Sequence, residues 1–463
     1  MAANPHAPPA RSDAPAVQPV SNAAAPPWSR RHFLGRAGLG AGAGLAAAGG
    51  LFRPGLAPSL AAADSANERV RVAVVGLSRG MGHVRSFLQI PGVEVAGLCD
   101  IDQNRLAAGV KAVEEHDNGG KPLAVADFRQ LLDDDSIDAI AIATTNFTHA
   151  PFTMMACDAG KHVYVEKPGS WSAQEAQWIV QSARRHDRRV QMGNQRRSLP
   201  AVREAMQRLH EGVIGPVRSA RCYYNSARGS IGRGRETTPP EHLDFELWQG
   251  PLHPVPYRSN LVHYNWHWFW NWGNGELGNN GVHALDLARW GLGVGLPSVT
   301  SCVGGRYHFD DDQETPDTAV ASYDFGHCAA VWDGSSCHRR RSEDPPFCAF
   351  YGQEGHTLEI AGAGYIIRDE NGEEIAREQP SFSDLHHFTN FIDGIRDGAE
   401  LNAEIEDAQR AALMCHYGNI AYRSGTAVKT DPDTGLMIDA GGEAEALWGR
   451  EEGYRDGWLP EVG

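Results

Sequence analysis

Val70-Arg71-Val72-Ala73-Val74-Val75 runs straight into Gly76-Leu77-Ser78-Arg79-Gly80-Met81-Gly82-His83, and this junction decides the fold. The β-branched run predicts a strand. A helical pattern then starts at Val84, with Phe87, Leu88 and Ile90 as its apolar positions. After Pro91-Gly92 a second β-branched run reaches Cys99 and stops at Asp100. Strand, glycine turn, helix, strand and terminal acid form a dinucleotide-binding unit: glycines let the backbone approach a pyrophosphate, and the helix N-terminus offers free N–H groups. The acid can accept hydrogen bonds from ribose and repels a 2′-phosphate, which favours NAD over NADP. Ser78 takes the place of the second glycine. Gly76, Leu77, Ser78, Gly80, Met81 and Asp100 are therefore the first candidates for holding NAD.

The pattern continues downstream. Residues 123–132 read as a helix, and residues 139–143 as a strand ending in Thr144-Thr145-Asn146-Phe147-Thr148-His149. Ligands of open α/β sheets bind at such carboxyl strand ends, which adds Thr144, Asn146 and His149. A helix over 151–160 leads to the strand His162–Val165 and then to Glu166-Lys167-Pro168. A lysine at the end of a central strand, beside an acid, points toward the cofactor crevice. A helix over 172–186 precedes Val190-Gln191-Met192-Gly193-Asn194-Gln195-Arg196-Arg197.

The chain has 463 residues and a net charge of −16, unevenly spread. Residues 1–63 carry five arginines and one acid, so the remaining 400 residues hold a balance of −20. That acidity disfavours nucleic-acid binding, and the composition fits neither a collagen-like, a disordered nor a disulfide-scaffold class. None of the eight cysteines forms a CxxC pair or a zinc spacing with histidine. Most are expected to be buried and reduced, while a bridge among Cys328, Cys337 and Cys348 stays open. The first 27 residues, rich in Ala and Pro, read as disordered. Ser29-Arg30-Arg31-His32-Phe33-Leu34, a soft Gly/Ala stretch and Ala61-Ala62-Ala63 describe a cleaved twin-arginine export signal. The expectation is a mature protein starting near Asp64, exported to the periplasm through the export machinery, with no permanent membrane anchor.

Asn146 with His149, Glu166-Lys167-Pro168 and Gly193-Asn194-Gln195-Arg196 together resemble the glucose–fructose oxidoreductase/inositol dehydrogenase (Gfo/Idh/MocA) family, from about Arg69 to the C-terminus. The resemblance implies an α/β N-terminal Rossmann domain that binds NAD(P). It also implies a C-terminal α+β domain with a large, mostly antiparallel open sheet that commonly serves as an oligomer surface. The expected division is a leader over 1–63, an NAD-binding domain over 64–192 and a substrate-binding domain over 193–463, with a C-terminal helix packing back. In the family the lysine of the E-K-P motif works beside the nicotinamide, a role carried here onto Lys167. Glu166 and Gln195 join the cofactor set.

Beyond residue 217 the pattern changes to alternating strands at 217–224, 319–325, 329–335, 347–351 and 357–360. An insertion between the first two contains Tyr264-Asn265-Trp266-His267-Trp268-Phe269-Trp270-Asn271-Trp272. Alternating tryptophans can form the buried face of one strand. Interleaved with His and Asn, they suit a carbohydrate, whose C–H faces pack on aromatic rings while polar groups bind its hydroxyls. Arg196, Asn265, Trp266 and His267 are the resulting substrate candidates. Helical spacing then places Asn279, His283 and Asp286 on one face. The family has Asp and His four apart on this helix. His283 matches and is the first choice for acid/base work, whereas Asn279, which cannot ionise, replaces the Asp. Asn279 and the adjacent Asn280 are taken as hydroxyl ligands. Asp310-Asp311-Asp312 with Glu314 lacks calcium-loop spacing and reads as a solvated turn, and no metal is expected. Residues 404–424 read as an amphipathic helix without chemistry.

The leading expectation is an exported NAD-dependent oxidoreductase acting on a sugar, polyol or glycoside hydroxyl, as a homo-oligomer (dimer or tetramer) with an internally recycled cofactor. The alternative is an NAD-dependent glycosidase that works by transient oxidation and elimination. A third reading is a non-catalytic sugar-binding protein.

Overall fold

The computed structural model describes residues 69–339 and 345–459; the leader, with Arg30-Arg31 and residues 61–63, lies outside them. Near-continuous runs of Val, Ala and Ile make strands that can be buried on both faces, as a parallel sheet between helix layers requires. Those runs are β1 (Val70–Val75), β2 (Val93–Cys99), β3 (Leu123–Val125), β4 (Ala139–Ile142), β5 (His162–Val165) and β6 (Val190–Met192). They form one parallel sheet in the order β3-β2-β1-β4-β5-β6. The crossover helices are α1 (Gly80–Leu88), α2 (Gln103–Glu114), α3 (Arg129–Leu132), α4 (Asn146–Asp158) and α5 (Ala173–Arg185).

Two sequence expectations are corrected here. Residues 123–132 are not one helix: Leu123–Val125 is an edge strand and helix begins at Arg129. An edge strand this short, with Val125 alone of its three residues buried, leaves no alternation to read. The strand-end segment expected to run to His149 is not loop throughout either. α4 starts at Asn146, and Pro151, expected near the helix start, lies inside it.

The second half begins with α6 (Pro200–His210) and β7 (Val217–Asn225), then α7 (Phe245–Gln249) and α8 (Val282–Leu292). Next come β8 (Val299–Gly305), β9 (Thr318–Asp324), β10 (Ala329–Ser335), β11 (Cys348–Gly352), β12 (Thr357–Ala361), β13 (Gly364–Arg368) and β14 (Glu374–Glu378). α9 (Leu385–Arg396), α10 (Ile405–Ser424) and β15 (Val428–Lys429) follow. The nine strands order as β14-β13-β12-β11-β7-β10-β9-β8-β15, antiparallel except for the β7–β10 pair. One face packs on α6, α8 and α10. On the other, Val303, Val320 and Tyr307 are exposed, Tyr307 to 70%.

α10 is not amphipathic. It packs against α5 on one side and β8 and α8 on others, so it is buried nearly all round, with Gln409, His416 and Asn419 among its buried residues. α9 returns to the first half: Phe388 lies 5.0 Å from the Phe87 ring and 4.7 Å from the Tyr164 ring, completing the core over α1 and β5. The insertion is not a strand. Asn265–Trp268 is a 3-10 turn, and Trp248, Trp266, Trp268 and Trp272 gather around Phe147 in a separate apolar cluster. All eight cysteines are free.

Two buried histidines tie the halves together. His387 bonds Met192 O (2.9 Å) and Ser198 Oγ (2.6 Å), and His416 bonds Ser170 Oγ (2.9 Å). Burial pushes His387 down to about 4 and His416 down to about 3, from the ordinary 6.5. Below pH 6.5 the unfolded chain therefore takes up protons that the folded chain refuses. Their contribution is present above about pH 6.5 and is lost as the pH falls toward 4. Urea melts at pH 7, 5.5 and 4.5 should show a falling midpoint; a flat profile would contradict the buried neutral state.

Candidate active site

A single cavity of about 550 Å³ runs from the carboxyl ends of β1, β2 and β4 to the start of α8. At one end Gly76 turns the chain with φ +86°, and a Cβ there would fall 2.5 Å from Ala143 O, so the turn demands glycine. α1 begins at Gly80 without a side-chain cap; Gly82 N bonds Arg79 O (2.9 Å), which leaves the N–H groups ahead of it available to an anion. Gly80 itself packs on Val74, a Cβ there meeting Val74 Cγ1 at 3.0 Å. Helix–strand packing thus explains Gly80 without any ligand contact.

Asp100 is buried at the end of β2, where one carboxylate oxygen accepts Leu77 N (2.6 Å) and the other Asp102 N (2.8 Å). Burial raises its pKa, against these two hydrogen bonds. Each oxygen keeps acceptor capacity on the cavity side. This carboxylate, the open helix start and the glycine turn fit an adenosine ribose and a pyrophosphate, so the site fits NAD.

In the middle of the cavity lies Glu166. It accepts from His83 Nε2 (3.0 Å), Arg79 Nε (3.2 Å), Gln195 Nε2 (3.0 Å) and Lys167 N (3.2 Å). Burial opposes ionisation, but His83, Arg79 and Lys167 hold the carboxyl well below the usual range. Lys167 turns from it toward the second half, where its Nζ donates to Asn279 O (2.8 Å) and Asn279 Oδ1 (3.0 Å). An ammonium has a third N–H, which can meet a ligand. Burial lowers the Lys167 pKa, against the charges of Glu166 and Glu276.

Leu277–Gly281 is a π-helical turn running into α8, and such turns often occur at functional sites. It brings Asn279, Asn280 and His283 to the cavity together. The expected common face does not extend to Asp286, which is buried in a two-bond pair with Arg197 (2.7 and 2.8 Å). Behind the asparagines, Glu276 accepts from Asn279 Nδ2 (3.4 Å) and Asn280 Nδ2. A buried carboxyl thus stands three residues before Asn279. Burial raises the Glu276 carboxyl, and burial beside Lys167 holds His283 well below its ordinary value, with Nδ1 unpartnered.

Three more imidazoles line the cavity, those of His149, His263 and His267. His149 Nδ1 lies 2.6 Å from Pro168 O and His267 Nδ1 lies 2.6 Å from Tyr264 O. Carbonyls only accept, so Nδ1 carries the proton in each and Nε2 is left as an acceptor. Burial pushes His149 down to about 4 and His267 down to about 3. His267 stacks on Trp266 at 3.6 Å between ring centroids.

Among the sequence candidates, the cavity is lined by Gly76, Ser78, Asp100, Thr144, Asn146, His149, Glu166, Lys167 and Gln195, and by Arg196, Trp266, His267, Asn279, Asn280 and His283. Four candidates do not line it. Leu77 has its backbone N taken by Asp100, Gly80 packs on β1, and Met81 packs into the core around α1. Asn265 is tied to Asn260 O at 2.9 Å, which makes it a loop brace. Asn146 reaches across to Asn274 Oδ1 (2.9 Å). Sequence reasoning missed Arg79, Tyr264, Asp384 and Trp458, all of which line the cavity. Tyr264 had a usable signal, standing three residues before His267. Trp458 and Asp384 had none, because their placement depends on chain returning from the far end. Among the described residues no group of three metal-ligating side chains occurs, and no helix is long and apolar enough to cross a membrane.

A dinucleotide end and a proton-handling end sharing one volume are the marks of an NAD-binding oxidoreductase. The chain belongs to the Gfo/Idh/MocA family: residues 70–194 match its "Oxidoreductase family, NAD-binding Rossmann fold" and residues 233–458 its "C-terminal alpha/beta domain". A Saccharopolyspora erythraea relative named "Glycosyl hydrolase family 109 protein" is 32% identical over 205 residues, 41% of this chain. The match spans 44% of that relative, less than half its length. Two solved structures share the fold, each with TM-score 0.61 over 78% of this chain and 99% of theirs. One is the aldose–aldose oxidoreductase of Caulobacter crescentus in complex with glycerol (18% identity). The other is the WlbA dehydrogenase of Bordetella pertussis in complex with NADH and UDP-GlcNAcA (15%).

Asp100→Ser should weaken NAD binding about tenfold, the order expected for lost hydrogen bonds to a charged acceptor, and narrow the preference over NADP. Titration of both nucleotides by protein fluorescence checks it; unchanged affinities would remove the ribose role.

Proposed function

We propose that this protein oxidises a sugar, polyol or glycoside hydroxyl, and that its NAD stays bound and is restored within each catalytic cycle. The observation that carries the reading is the pairing of Lys167 Nζ, anchored on Asn279, with the unpartnered His283 imidazole at the end of the dinucleotide cavity. Bound NAD supplies the hydride acceptor. Lys167 and His283 bind the reacting hydroxyl and take its proton as the carbon is oxidised. Asn280, Arg196 and the Trp266–His267 stack supply hydroxyl ligands and a flat wall, which suits a pyranose ring. Asn279 orients Lys167 and takes no proton.

A second reading is favoured by the relative's printed name and by Tyr264 and His267 standing in the same cavity. A glycoside oxidised at C3 has an acidified C2 hydrogen. A base can remove that proton, the aglycone leaves with a proton, water adds, and the hydride returns. In either route one cofactor serves many turnovers, as a protein exported by a twin-arginine route would need where free NAD is scarce. Periplasmic location is part of this proposal. So is self-association, for which the exposed Val303, Tyr307 and Val320 face of the second sheet is the candidate surface.

Lys167→Ala should lose at least about 100-fold in turnover, the usual scale for a positioned acid/base, while keeping bound NAD. Near wild-type turnover in that variant would remove the assigned role. Protein stripped of free nucleotide should also convert a panel of sugars and glycosides without added NAD, with products identified by mass spectrometry. Strict dependence on added NAD, with NADH released one for one, would point to a simple dehydrogenase.

A further inference from the structure

At the end of the cavity remote from Lys167, the chain after α10 returns to the first half. Arg450 Nη1 donates to Asn271 Oδ1 (2.7 Å), and its guanidinium lies 3.7 Å above the Trp171 ring. Tyr454 donates its hydroxyl hydrogen bond to the buried Glu175. Arg455 N bonds Pro251 O (2.9 Å), and its side chain pairs with Glu246 at 3.5 Å. Held at these points, the segment delivers Trp458, which is 6% exposed, to the cavity wall. The indole lies parallel to Phe152 (5.9 Å, 17°), and Phe152 in turn is stacked on Phe128 (4.2 Å, 14°). Arg129 lies 4.4 Å above the indole and also grips Asp127, through Nη2 at 2.5 Å and Nε at 3.0 Å.

Flat apolar rings beside a fixed carboxylate, just past the ribose-binding acid Asp100, are what a purine requires. The rings offer it an apolar wall, and the carboxylate can accept from an exocyclic amine. We infer that Trp458 is a cofactor-binding residue, and that residues 450–459 form a strap closing the adenine end of the NAD site. The inference rests on the retained-cofactor reading above and names the device that retains it. With the strap in place, adenine leaves only after the Arg450, Tyr454 and Arg455 contacts give way, so the strap sets the rate of cofactor release.

The test is the release rate of NAD from the full-length protein, measured by transfer to an excess of a scavenging dehydrogenase. Trp458→Ala should release NAD at least about tenfold faster than wild type, the scale of losing one aromatic stacking partner and its burial. Trp458→Phe, which keeps a smaller ring and is the safer variant for folding, should fall between the two. If Trp458→Ala does not fold, a Trp458→Phe rate equal to wild type overturns the strap, as does an equal rate in folded Trp458→Ala. If wild type itself exchanges NAD within seconds, the retained-cofactor reading fails instead, while the ratio between variants still reports on Trp458.

Discussion

The buried carboxylate of Glu166 is the constraint around which the site is arranged. A charge taken out of water costs several kcal/mol unless it is paired and hydrogen-bonded, so four donors must converge on it. They come from α1 and the turn before it (His83, Arg79), from the backbone at Lys167 and from the turn after β6 (Gln195). Arg79 carries the linkage further, reaching Asp384 at 2.6 Å just ahead of α9. Satisfying one anion therefore fixes the glycine turn, the end of β5 and the entry to α9 relative to one another. Lys167 follows from this frame, because its neighbour and its own backbone N are already committed.

Much of the first half was legible because its signals are local. A β-branched run before a glycine turn, with an acid at the end of the next strand, fixes a parallel dinucleotide unit. Two fully buried strands leave little choice of residue type. The E-K-P motif marks the same strand end in sequence and in space. Gly80 and Met81 do not line the cavity: Gly80 packs on Val74, and close helix–sheet packing selects a small residue in the same turn as close approach to a ligand does, while Met81 packs into the core around α1. β3 was missed since three edge residues carry no period.

The second half was legible in outline only. Alternation identified β7, β9, β10, β11 and β12, but β8 is too glycine-rich and polar to stand out, and β14 is largely exposed. The tryptophan run had the right composition for two different fates. The structure gives it both, placing Trp266, Trp268 and Trp272 in one small core, with Trp266 at its edge also lining the cavity. The π-turn before α8 shifts the helical phase, so counting by 3.6 linked Asn279 to Asp286, whereas the acid that Asn279 bonds is Glu276. A change of helix type is invisible to periodicity, and the contact between Asn279 and Glu276 could be recognised only once both were seen in place.

The closing contacts over α1 join residues 305 positions apart, as between Arg79 and Asp384. During synthesis the first half must wait, with the α1–β5 face bare, until α9 has emerged. Such long loops slow folding and lengthen the exposure of apolar surface. A dinucleotide that binds the completed chain and not the waiting one shifts the balance toward completion by mass action. The cell's supply of cofactor would then govern how much of the newly made polypeptide matures, as well as how fast the finished enzyme works.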